Sequence, residues 1–254
     1  MGEPPMNARS SSKNLPAVRE GADDDPSAAA KALSQILERS TRLQAPAVTA
    51  YVERLRRQRP DATPAEIIAS LEKHYLAAVM ASGAAVGSAA AFPGIGTLVA
   101  MSAVAGETLV FLEATAVFAL AVAEVHGIPA DHRERRRALV LAVLVGEDSK
   151  RAVADLLGGG RTSGAWISDG AATLPLPAVS QLNNRLLKYF VKKYALKRGA
   201  IAFGKLLPVG VGAVVGGVGN RLMGKRIVKN AALAFGSPPP RWPSTLHVLP
   251  SAQL

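Results

Sequence analysis

The sequence contains no cysteine. That excludes disulfide staples, Cys-ligated zinc and a thiol nucleophile, and it leaves the compartment open. It also lacks any long alternation of β-branched and polar residues, which excludes a strand-dominated fold. Only the Gly-Val-rich patch at 209–218 leaves a strand open. No apolar run of signal-peptide length occurs in the first 45 residues, so no secretory leader is expected. Acidic residues nearly vanish from the last third: 158–254 carries thirteen bases and one acid, Asp169. The net charge of +11 therefore belongs to that third and implies an anionic partner.

Catalytic signatures are missing too. No serine sits in a G-x-S-x-G elbow, and Ser163 reads as a turn residue. Of the four histidines, His74, His126, His132 and His247, no two share H-E-x-x-H spacing. Pro129 and a helix start separate His126 from Asp131 and His132, so helix-end roles are expected for them. Gly219 to Lys225 fits the spacing G-x-x-x-x-G-K of a phosphate loop. Arg226 follows, where Ser or Thr should hold magnesium, and the flanks read as helix rather than strand and loop. No catalytic residue, metal, nucleotide or other cofactor is expected, and a small-molecule ligand is left open.

What is present is a long uncharged stretch. Between Lys73 and Glu124 the only charges are Glu107 and Glu113, in a run of Ala, Gly, Val, Leu and Ser. Pro93, Gly94 and Gly96 break it into two arms, each long enough to cross or lie in a bilayer and equally suited to a protein core. Gly83 and Gly87 allow close helix approach. An ionised carboxylate inside such an arm is costly unless paired. Glu107 and Glu113 are therefore candidates for buried ion pairs with bases from 185–229. At about 100° per residue they point about 120° apart, which disfavours a catalytic carboxylate pair.

The spacing predicts an all-α fold: a helical bundle around this Ala/Gly-rich hairpin, with disordered N- and C-terminal tails. Residues 1–27 form the first tail and 28–63 short helices, one from Pro46 to Gln58 with Val48, Val52 and Leu55 inward. A helical domain spans 64–236, and a Pro-rich tail covers 237–254. Thr63, Pro64 and Glu66 make a capping box that starts a helix to about Phe92. The next runs from Thr97 to about His126, stopped by Gly127. Asp131 and Glu134 suggest a second capping box for a helix through Val145, and Asp148 caps a short helix to Leu157. The run Arg133 to Arg137 reads as a solvated face, with a juxtamembrane basic cluster as its functional alternative.

A helix from Pro177 to Arg198 carries Val179, Leu182, Leu186, Phe190 and Tyr194 on one stripe. Arg185, Lys188 and Lys192 lie on another, with Lys193 beside them, a pattern common at membrane surfaces. Pro208, Gly210 and Gly212 echo Pro93, Gly94 and Gly96 as a second hinge or turn. A last helix, from about Arg221 to Phe235, carries Lys225, Arg226 and Lys229. Trp242, beside Arg241, is a candidate interfacial anchor.

At Pro93-Gly94-Ile95-Gly96, and again from Leu207 through Asn220, the chain resembles the EcsC family of bacteria. The second block has a Pro-x-Gly turn, a Gly-rich apolar run, an Asn, then Gly224-Lys225 and a helix ending at Phe235. The resemblance covers roughly 64–235. It implies membrane association and a helical domain, without an established activity or catalytic residues to carry over.

The favoured expectation is a non-catalytic, membrane-associated protein on the cytoplasmic side, accessory to a membrane transport or envelope process. Arg185, Lys188, Lys192, Lys193, Lys225, Arg226 and Lys229 are its candidate contacts with anionic lipid, and a membrane-protein partner is compatible with it. The alternatives are a soluble all-α enzyme with an unrecognised site, or a nucleic-acid-binding protein using the basic third. Nucleic acid is the weaker partner, because Tyr189, Phe190 and Tyr194 stand at helical spacing that favours packing over base stacking.

Overall fold

Capping chemistry sets several helix ends where the residues call for them. A computed structural model describes residues 46–89, 97–128, 130, 132–157, 174–201 and 211–243. It does so to the side chain over 46–85, 109–128, 130, 132–154, 174–190 and 217–243. Among these residues there are seven helices and no strand, an all-α fold. They are α1 over 46–58, α2 Pro64–Ala89, α3 Thr97–Val125, α4 Arg133–Val145, α5 Glu147–Leu157, α6 Leu176–Ile201 and α7 Val211–Phe235. The expected elements at 1–45 and the turn residues Pro93, Gly94, Gly96, Pro208 and Gly210 lie outside the described residues.

The Thr63 box forms: Thr63 N–H donates to Glu66 Oε2 at 2.8 Å, and Glu66 N–H to Thr63 Oγ1 at 3.3 Å. The Thr63 N–H, together with the Thr63 hydroxyl that donates to the same Glu66 oxygen at 3.0 Å, holds the Glu66 carboxyl below its ordinary pKa. At the far end of α3, Gly127 takes φ +68°, and Ile128 N–H reaches back to Ala123 O at 3.0 Å. That left-handed glycine closes a Schellman motif.

Other ends differ from expectation. The N-cap of α4 is His132, which makes no side-chain cap bond. The Glu134 carboxylate instead accepts from Asn183 Nδ2 on α6 at 2.7 Å, so it ties two helices together rather than closing a box. α5 begins at Glu147, not after Asp148: the Gly146 carbonyl accepts from both N–H and Oγ of Ser149. Gly212 is not in a turn. It lies within α7, which starts ten residues before Arg221 and takes in most of the patch where a strand was open. The glycines of that run are poor helix formers on their own, and the helix that contains them packs mainly on α2.

α7 runs antiparallel to α2. Gly217 faces Met80 and Ala84, while Gly224 faces Tyr75, Leu76 and Val79. A Cβ on Gly224 would lie 2.9 Å from Leu76 Cδ2 and 3.0 Å from Val79 Cγ2, so the missing side chain sets the approach. Asn220 Nδ2 donates to Val79 O at 2.9 Å in the same interface. α3 packs on the other flank of α2, where the Tyr75 ring stacks on Phe118 at 4.8 Å and its hydroxyl meets Thr115 Oγ1 at 3.0 Å.

The core is centred on α3 and α4. Every residue from Ala138 to Val145 is buried, as is every one from Phe118 to Ala123. A helix that is apolar all round must be enclosed, and over its C-terminal half α3 is enclosed by protein. Among the described residues no helix is long and apolar enough to cross a membrane. The buried faces of α1 (Val48, Val52, Leu55) and α6 (Val179, Leu182, Leu186, Phe190) are those the periodicity predicts.

The chain does not leave the fold at the end of α7. Gly236 turns it with φ +80°, and residues 236–243 pass back across the base of the bundle. Trp242 Nε1 donates to Ala62 O at 3.1 Å, and the Arg56 guanidinium lies 4.0 Å above the indole. Pro243 packs on Gly127 closely enough that a Cβ there would meet its ring at 2.6 Å. Trp242 is therefore docked on protein rather than free to anchor at an interface.

Candidate functional site

α7 has two unlike faces. Gly217, Asn220, Gly224, Ile227, Ala231 and Ala234, spaced alternately three and four apart, turn toward the bundle. All but Asn220 are glycines or aliphatics, and Asn220 is satisfied by the α2 carbonyl. Asn230 Nδ2 donates to Val143 O of α4 at 2.9 Å, which fixes the helix from a second side. The outward face carries Val218, Arg221, Leu222, Lys225, Arg226 and Lys229, all exposed. Val218 is 52 % exposed and Leu222 64 %, unusual values for large aliphatic side chains. α7 contains no acidic residue to offset its cations.

The expected lipid contacts are thus divided. Lys225, Arg226 and Lys229 share the exposed side of α7. Lys188 is exposed on α6 and Arg185 half-buried there, while the side chains of Lys192 and Lys193 lie outside the described residues. α6 packs on α4 and α5, whereas α7 packs mainly on α2. The phosphate-loop spacing at Gly219 to Lys225 falls inside continuous helix, whose backbone N–H groups are already bonded. It offers no cradle for a phosphate.

Glu113 is half-buried and makes no ion pair among the described residues, and the Glu107 side chain lies outside them. The arginine run is not a solvated face. Arg133, Arg135, Arg136 and Arg137 are all half-buried, with Arg136 Nη1 donating to Ala130 O at 2.8 Å and Arg135 Nη2 reaching Leu174 O at 3.4 Å. Such side chains lay their stems on apolar surface and bind carbonyls at their tips.

Two further features carry chemistry with no signal in the residue pattern. A cleft of about 340 Å³ opens between α1 and the end of α3, lined by Val48, Thr49, Leu120, Glu124, Ala130 and Arg136. Burial pushes the Glu124 carboxyl above its ordinary pKa, against a hydrogen bond from Thr49. Next to it, His126 stacks on Phe235 at 5.5 Å, and burial holds its pKa below the usual value. The second feature is Asn183. It is fully buried and donates to both the carbonyl and the carboxylate of Glu134, at 3.0 and 2.7 Å. Among the described residues no three His, Cys, Asp or Glu side chains converge as a metal site.

Set against family models, curated proteins and solved structures, the chain matches none of them.

Proposed function

We propose that this is a membrane-associated helical protein that works at the cytoplasmic face without chemistry of its own, accessory to a membrane transport or envelope process. One observation carries the reading. Six large hydrophobic side chains are exposed among the described residues, and five of them, Leu109, Val110, Val218, Leu222 and Met223, lie on α3 or α7 up to the midpoint of each helix. These are the helix halves that stand beside the end of α2. Exposed cations of α7 adjoin three of the five.

Apolar surface left in water costs about 25 cal/mol per Å² that a covering partner would recover. Each Lys or Arg near an anionic leaflet adds about 1 kcal/mol of attraction. The two terms together suit a bilayer surface. The resemblance to the EcsC family points the same way. Attachment in this reading is peripheral, because the C-terminal half of α3 is already enclosed by protein.

Fractionation of cells tests it. The protein should sediment with membranes and come off in high salt while the integral proteins stay. Resistance to both salt and carbonate would replace surface attachment with insertion. Recovery wholly in the supernatant at low salt would defeat the membrane reading.

A further inference from the structure

We infer that the outward stripe of α7 is the surface that lies on an anionic lipid leaflet, with Val218 and Leu222 entering the acyl boundary and Arg221, Lys225, Arg226 and Lys229 at the phosphates. This rests on the membrane association proposed above and names the part of the molecule that makes it.

Helix phase brings the residues together. At about 100° per residue, Val218, Leu222, Lys225 and Lys229 fall within an arc of about 60°, and Arg221 and Arg226 flank it. The stripe runs about 16 Å along the axis. Along the central arc Val218 and Leu222 precede Lys225 and Lys229, so a tilted α7 would seat the aliphatic end deeper than the charged end. The helix cannot roll to hide them, since Asn220 and Asn230 pin it to α2 and α4.

The composition of the stripe selects its occupant. A second copy of the chain would bring the same cations against it, and like charge opposes that pairing. A nucleic acid would meet cations but no aromatic platform, because the one aromatic of α7, Phe235, is buried. Two exposed aliphatics beside four cations match a leaflet of anionic headgroups over hydrocarbon. The basic helix α6 is a poorer candidate, because its apolar stripe is already buried in the core.

The test uses the full chain and vesicles of phosphatidylcholine, alone or with an equal part of phosphatidylserine. Flotation should show binding to the anionic vesicles only. The triple variant Lys225→Ala, Arg226→Ala, Lys229→Ala should weaken it about a hundredfold, at about fivefold per cation. The pair Val218→Ser, Leu222→Ser should weaken it about tenfold or more. Arg185→Ala with Lys188→Ala on α6 should bind as the wild type. Since the chain has no cysteine, a single environment-sensitive fluorophore can be placed by Leu222→Cys. Its emission should shift to the blue on anionic vesicles, while the same probe at Leu176→Cys stays unchanged. Wild-type binding with unaltered affinity in both stripe variants would overturn the assignment to α7 and leave the membrane reading standing. Failure of the wild type to bind either vesicle would overturn both. Tighter binding to duplex DNA than to anionic vesicles at matched salt would overturn the choice of lipid.

Discussion

At the scale of single residues, burial tunes two groups at the base of the bundle in opposite senses. His126 has a folded-state pKa below its ordinary 6.5, so the unfolded chain takes up the proton first. Its contribution to stability is whole above about pH 6.5 and is lost as pH falls from there toward the folded value. Glu124 has a pKa above its ordinary 4.5, so the folded chain takes the proton first, and stability is gained as pH falls through the folded value toward 4.5. Urea midpoints measured across this range should show His126→Phe flattening the loss below pH 6.5. Glu124→Gln should stabilise at neutral pH and lose its advantage toward pH 4.5. Both effects should stay within about 1 kcal/mol, because each side chain keeps part of its contact with water.

Glycines on α7 give a second residue-scale contrast. Gly219 has open space where a Cβ would stand, so Gly219→Ala should stabilise by about 0.5–1 kcal/mol through helix propensity. Gly224 faces Leu76 and Val79 at contact distance, and Gly224→Leu should destabilise by about 1–3 kcal/mol through overpacking. Thermal unfolding followed by circular dichroism reads both. Equal effects at the two positions would mean that α7 does not approach α2 as described.

At the scale of elements, legibility followed whether the deciding interaction was local. The start of α2 and the end of α3 were readable because Thr63, Glu66 and Gly127 act within a turn of the ends they fix. The beginning of α7 was not. Its Gly-Val run has weak helical preference, and α7 packs mainly on α2, more than a hundred residues earlier. The same miss hid Val218, which read as an ordinary member of the apolar run ending at Asn220. The cations Lys225, Arg226 and Lys229 stood out by charge, whereas Leu222, inside the helix expected from Arg221, carried no signal of exposure. The aliphatic part of the stripe becomes visible only once the helix phase is carried back through Val218. Glu134 misled for a related reason: its spacing suits a cap, and a tertiary partner, Asn183, holds its carboxylate. Asn230 is the clearest element-scale tie, joining α7 to the last turn of α4. Asn230→Leu should leave the buried Val143 carbonyl one donor short and cost about 1–3 kcal/mol in denaturant melts. A neutral result would mean that the tie is dispensable.

At the scale of the molecule, the segment 236–243 holds the base together. It links the end of α7 to α1 through Arg56, to the start of α2 through Ala62, and to the close of α3 through Gly127. Trp242→Ala should cost about 1–2 kcal/mol, since a half-buried indole, its hydrogen bond and its cation–π partner go together. Gly127→Ala should cost more than its neighbours, because it strains a left-handed residue and displaces Pro243 at once. Loss of stability in both, with no loss of lipid binding in the folded fraction, is the expected joint result.

The same segment decides how the molecule tolerates additions. Among the described residues, Pro46 lines the Glu124 cleft and Pro243 rests against Gly127. These two prolines are close together, and both lie at the far end of α7 from Val218. A reporter protein spliced in next to either proline would therefore stand at the opposite end of α7 from the lipid-facing stripe, and insertions there should leave vesicle binding intact.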